Sequence, residues 1–194
     1  VAIVTATQVT SYTDISTGAT TITALGLIPI VQERITQICF NSFTVDGISL
    51  QAQMTFNATA ATIVADTSDT WEGEGFAAGD EIVVYNSYRN DGYYTIDSLS
   101  DQTLTIASTE TVVDELSGAS ILVQLVSWPD DLAYTAAQMV KYDYDDRVKR
   151  PAGLKSQSLG PWSETYDTGT NTQEFGYPAA ILSALEQHRI ARLM

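Results

Sequence analysis

A single cysteine, Cys39, and a single histidine, His188, stand among 194 residues. Cys39 therefore has no partner for an internal disulfide, and in an apolar helical stretch it reads as a small buried thiol. One imidazole excludes a multi-histidine metal site and a triad that needs a second imidazole. On a terminal helix, His188 reads as a surface or interface residue. Bases are scarce too: nine Lys and Arg face 24 Asp and Glu, for a net charge of −15. A protein that grips nucleic acid through phosphates needs a basic surface to displace counterions, so the composition argues against specific DNA binding. No window approaches the roughly 18 consecutive apolar residues that span a bilayer. The opening Val1-Ala-Ile-Val-Thr-Ala-Thr lacks the basic start and apolar run of a secretory signal. The expectation is a soluble chain with no membrane partner, assembled in a cytoplasm.

Catalytic patterns are also missing. Cys39 has no histidine nearby in sequence to activate it. Asp143, Asp145 and Asp146 form an acidic run without the glycine and distal glutamate of a calcium loop, so they read as a solvated helix end. Asp66, Asp69, Glu72, Glu74, Asp80 and Glu81 show no spacing that singles out a carboxylate pair. Gly73-Glu-Gly-Phe-Ala-Ala-Gly79 neither precedes Gly-Lys-Ser/Thr nor opens a helix, and so matches no phosphate or dinucleotide loop. The sequence predicts no enzyme, no cofactor and no metal.

What is present is a change of period along the chain. After a stretch rich in Thr and Ser, Ile28, Val31, Ile35 and Ile38 repeat at helical spacing, with Pro29 in the first turn, where its missing N–H is no loss. From Asp46 the period becomes two, with Ile48, Leu50, Ala52, Met54 and Phe56 alternating with polar residues. Further strands are predicted at 61–65, 81–85, 93–96, 103–107 and 121–126, with Asn90-Asp-Gly92 as a hairpin signal. At Trp128-Pro129 the helical period returns. Leu132, Ala136, Met139, Val140 and Asp143 share one face of a second helix, which breaks near Pro151-Ala-Gly153. A third helix runs from Pro178, with Ile181, Leu182, Leu185, His188 and Leu193 on its packing side.

This order predicts an α+β fold: a small bundle of three main helices with an antiparallel β-barrel or sandwich module inserted between the first and second helices. Residues 1–45 plus 128–194 form the helical core and 46–127 the inserted acidic β module. Residues 44–127 hold thirteen acidic side chains against the single base Arg89, a net of −12, whereas 128–194 hold nine acids and seven bases. A negative surface repels a phosphate backbone, and it also keeps a protein soluble. Trp128, Trp162, Tyr142, Tyr144, Tyr166 and Tyr177 gather in or beside the helical part, where aromatics with Arg favour protein interfaces.

The stretch Gly153-Leu-Lys-Ser-Gln-Ser-Leu-Gly-Pro-Trp-Ser-Glu-Thr-Tyr166 lies between a helix carrying Tyr142 and a Pro-initiated helix ending in Arg. It resembles a segment of the head–tail connector proteins of tailed bacteriophages and related transfer agents. The first helix, with Ile28, Val31, Gln32, Ile35 and Ile38, fits that family's opening helix, so the resemblance covers residues 8–45 and 128–194. Gly75-Phe-Ala-Ala-Gly-Asp80 and Asn90-Asp-Gly-Tyr-Tyr-Thr-Ile96 resemble small β modules of other phage virion proteins. The resemblance implies a structural virion protein at the head–tail interface, or neck. About twelve copies would form an adaptor ring between the portal protein and a stopper or tail completion protein, with DNA passing through the channel without specific binding. It also implies that the C-terminal helix meets the portal through Ile181, Leu182, Leu185, Arg189 and Arg192. A loop with Ser156, Ser158, Gly160, Trp162, Ser163 and Tyr166 would lie at a ring or partner contact. The alternative reading is a non-catalytic binding module, for carbohydrate or protein, presented on a helical oligomerisation base.

Overall fold

A computed structural model of the chain describes residues 2–117, 120–145, 156–159, 162–165 and 173–190. The chain parts into two compact units, one of Val1–Ala2 with Ser42–Trp128 and one of Ile3–Asn41 with Pro129–Met194.

The first unit is a closed antiparallel barrel of six strands: β1 (Thr44–Asn57), β2 (Thr62–Asp66), β3 (Glu81–Tyr85), β4 (Gly92–Ser100), β5 (Thr103–Ile106) and β6 (Ser120–Val126). They close in the order β1-β2-β5-β4-β3-β6, with β6 pairing back to β1. Closure gives each strand a neighbour on both sides. Alternation along each strand sends one face inward, so Leu50, Met54 and Phe56 of β1 meet Ile63, Ile82, Ile96, Leu104 and Ile121 in the core. Trp71, from the β2–β3 connection, is fully buried and packs edge-on to Phe76 at 5.4 Å. Its indole N–H donates to the Gln102 carbonyl at 2.8 Å, so the burial leaves no polar atom unpaired. Register shifts in β1, between Thr44 and Ser49, and in β4, between Ile96 and Ser98, supply the bends that closure needs.

The second unit holds α1 (Ala6–Tyr12), α2 (Ala19–Ala24), α3 (Leu27–Cys39), α4 (Leu132–Asp143) and α5 (Ala179–Leu182). Two short strand pairs accompany them: β7 (Ser156–Leu159) with β8 (Trp162–Thr165), and β9 (Gln173–Glu174) with β10 (Tyr177–Pro178). Val31, Ile35 and Ile38 of α3 and Leu132, Ala136, Met139 and Val140 of α4 are buried, as their helical spacing predicts, whereas Ile28 is half-buried.

The expected fold class needs correction. The molecule is mixed α and β, the six-stranded antiparallel sheet is its largest element, and a bundle of three main helices is not evident. Among the described residues only α3 and α4, of 13 and 12 residues, exceed the seven residues of α1. The predicted third helix from Pro178 is α-helical for four residues. It then tightens into a 3-10 turn at Ser183–His188 and is extended at Arg189. A 3-10 turn stacks every third residue, which aligns Leu182, Leu185 and His188 in one row. Leu182 and Leu185 are buried by that row, and this packing outweighs continuation of a short helix that is marginal alone. The N-terminal Thr- and Ser-rich stretch, for which no element was predicted, contains α1 and α2. Thr5 and Gln8 form a reciprocal capping box at the start of α1.

Candidate functional site

The C-terminal segment is built onto the end of α3. Phe40, just past the helix, takes a left-handed conformation, and the freed Cys39 carbonyl accepts the Ile190 N–H at 2.9 Å. Asn41 adds a bond from its side-chain amide to the His188 carbonyl at 3.4 Å. Cys39 is fully buried and its thiol lies 3.7 Å from the Leu185 carbonyl. Burial pushes the thiol up to about 11, opposed in part by the positive charge of Arg189. At the start of α4, Asp131 stands 2.9 Å from the His188 ring. Its carboxyl is held below the usual range, chiefly by the hydrogen bond from that ring.

Beneath this segment lies a buried polar cluster that joins three parts of the chain. Arg34 of α3 donates to Asp143 at the end of α4 at 2.9 Å, and the Tyr177 hydroxyl of β10 donates to the same carboxylate at 2.7 Å. Arg34 also donates to the Tyr177 oxygen and lies 5.5 Å from the centre of its ring. Asp143 is only 1 % exposed, so its reading as a solvated helix end is corrected: it is the anion of an internal tie. Burial and the neighbouring Asp143 raise the Tyr177 phenol, with Arg34 opposing. Tyr142 packs on Tyr177 at 5.6 Å. Arg34, Asp143 and Tyr177 are far apart in sequence, and only Asp143 on an otherwise apolar face signalled a buried partner.

The residues expected at portal or ring contacts divide as follows. Leu182 and Leu185 point into their own unit, Ile181 is half-buried and Arg189 is exposed. Ser156, Ser158, Trp162 and Ser163 lie on β7 and β8, where a loop was expected, in a register that pairs Ser158 with Ser163 and Leu159 with Trp162. Gly160, Tyr166, Arg192 and Leu193 lie outside the described residues, as do Asp146 and the break expected near Pro151-Ala-Gly153.

Two apolar side chains that sequence reasoning passed over flank the segment. Phe175 is 51 % exposed between β9 and β10, at a φ of 53°, and Ile190 is 55 % exposed. A bulky residue held at positive φ beside Gly176 is strained, and it holds an aromatic ring outward.

Among the described residues no group of three or more His, Cys, Asp or Glu side chains could hold a metal ion. Also among them, no helix is long and apolar enough to cross a membrane. No family model matches the chain, and no curated protein matches it.

Proposed function

We propose that the chain is a structural virion protein: a head–tail adaptor whose copies form a ring between the portal and a stopper or tail completion protein. The observation that carries this reading is the C-terminal segment. It anchors Tyr177, Leu182 and Leu185 inside the helical unit and leaves Phe175 and Ile190 outside. Anchored on its inner side and carrying these two exposed apolar side chains among polar ones such as Ser183, Glu186 and Gln187, it offers a surface for a protein partner. Arg189, exposed on the same segment, supplies the charge-bearing group such interfaces favour. On this reading Phe175, Ile181, Arg189 and Ile190 meet the portal, and Leu182 and Leu185 act by holding the segment in place.

The barrel has a part in the same reading. Eight of its thirteen carboxylates are exposed, Asp66, Asp69, Glu72 and Asp101 among them. Facing the channel of a ring, they would keep passing DNA from adhering. A ring image with all of them on the outer rim would remove that role and leave solubility.

The test combines the full chain with portal protein, read by native mass spectrometry and electron microscopy. The expected result is a ring of chains on the portal. Phe175→Ser with Ile190→Ser should weaken attachment by about tenfold or more with no change in thermal midpoint. Normal attachment by that variant would sink the assigned contact, and a chain that never rings on the portal would sink the adaptor reading.

A further inference from the structure

β1, of 14 residues, is longer than either of its neighbours in the barrel, and the two cover different parts of it. β6 pairs with residues 49–53 along one side, whereas β2 pairs with residues 53–57 along the other. Past the pairing of Gln53 with Asp66, the chain that formed β2 leaves β1. The Asp69 N–H donates to the Thr67 hydroxyl at 3.2 Å, and the Trp71 N–H donates to the Asp101 carbonyl at 3.1 Å, which draws the chain to the β4–β5 turn. Among the described residues, the stretch 49–52 of β1 thus has β6 on one side and no strand on the other.

The register decides which backbone groups face that open side. The Phe56 N–H and carbonyl both bond Glu115, on the side away from β2, and β1 keeps an unbroken register from Phe56 back to Ser49. Successive residues of a strand direct these groups to opposite sides, so Leu50 and Ala52 bond β6, and Ser49 and Gln51 present theirs to the open side. Among the described residues, none of these four backbone groups has a protein partner. The inner face of the stretch is closed, because Leu50 is buried in the core and Ile48 lies over Gly75. Gln51 is exposed, as are Asp46 and Gly47 just before the stretch. N–H and carbonyl groups at strand spacing, turned to water, are completed by one kind of ligand, another extended chain.

We infer that this open edge takes up an extended segment of a protein partner as an added antiparallel strand, with lysine or arginine on the face it shares with Gln51. Backbone bonds supply the affinity of such a strand, and side chains select it. Charge sets the selection here. Asp66, opposite Gln53, is exposed at one end of the open stretch, and Asp46 is exposed at the other. Arg89, the barrel's only base, is exposed in the β3–β4 connection, which lies across β6 from β1 and away from the open side. A second copy pairing edge to edge would set Asp46 of each chain beside Asp66 of the other, and like charges there oppose it. The inference does not depend on the ring.

The test is amide hydrogen exchange of the full chain, read by NMR, with a short peptide of alternating Lys and Thr and with its Glu/Thr counterpart. The Lys/Thr peptide should slow exchange at the Ser49 and Gln51 amides, and the Glu/Thr peptide should not. In an antiparallel pair, the residues that share the face of Gln51 also turn their backbone groups to β1. Methylating the backbone nitrogens of the peptide's lysines should therefore weaken binding by about tenfold or more, whereas methylating those of its threonines should not. Gln51→Pro, which removes one outward N–H and no bond of the barrel's own ladder, should also weaken binding by about tenfold. Should that variant fail to fold, the two methylated peptides decide. The proposal is overturned by equal binding of those two peptides, by equal protection from the Glu/Thr peptide, or by exchange at Ser49 and Gln51 that the Lys/Thr peptide leaves unchanged. Protection that grows with chain concentration in the absence of peptide overturns it too, because a second copy would then be the occupant.

Discussion

At the scale of single residues, the helical unit depends on one carboxylate. Asp143 takes hydrogen bonds from Arg34 and Tyr177, and each partner has its own reason to need it. Removing it strands a guanidinium that is only partly solvated, which for a buried pair costs about 3 kcal/mol, less here because water reaches Arg34. Asp143→Ala should therefore lower the urea unfolding free energy by about 2–3 kcal/mol. Tyr177→Phe, which deletes one hydroxyl and leaves the ion pair, should cost only about 1 kcal/mol. Equal effects would show that the hydroxyl and not the ion pair holds the cluster. Cys39 gives a second check. With its thiol pushed up to about 11 by burial, it should stay inert to a thiol-specific disulfide reagent at pH 8 and react at once in denaturant. Rapid labelling of the native chain would contradict the burial. Cys39 was readable as a buried thiol because it follows an apolar helical face. The role of Asp143 was not readable, because its partners lie 109 and 34 residues away in sequence.

At the scale of elements, period and turn chemistry located β3 at 81–85, and located β6 and α4 nearly as well. In β6 and α4 the buried side chains recur at the element's own period, whereas β3 is buried on both faces and was marked by a short apolar run between turn signals. The C-terminal segment misled for the opposite reason. Its apolar residues fit a long amphipathic helix, yet the chain adopts four residues of α-helix and a 3-10 turn, which buries Leu182 and Leu185 and brings the Leu185 carbonyl and the Ile190 N–H to Cys39 at the end of α3. Deletion of residues 178–194 should then collapse the helical unit, with loss of its cooperative melting. Circular dichroism melts of the truncated and full chains check this. A stable chain lacking 178–194 would mean that Leu182 and Leu185 contribute little. The β7–β8 pairing escaped notice because a run of Ser, Gln and Gly carries no hydrophobic alternation, so only its cross-strand register reveals it.

At the scale of the whole molecule, the barrel is the part best equipped to stand alone. Its sheet is closed, its core is its own, and its chain ends are hydrogen-bonded to each other at Phe43 and Ser127. Residues 42–128 expressed alone should melt cooperatively and keep the near-ultraviolet signal of the buried Trp71. A fragment without that signal would show that the barrel needs the rest of the chain. The sequence by itself determined the scarcity of bases, the concentration of −12 in residues 44–127 and the two periods that separate strands from helices. These are local or additive properties, readable one residue or one window at a time. Closure of the six strands into a barrel, the Arg34, Asp143 and Tyr177 tie, and the stretch of β1 that β2 leaves open were decided only by tertiary structure. Each depends on which distant residues meet, and the free energy of those meetings belongs to pairs that no single stretch of sequence contains.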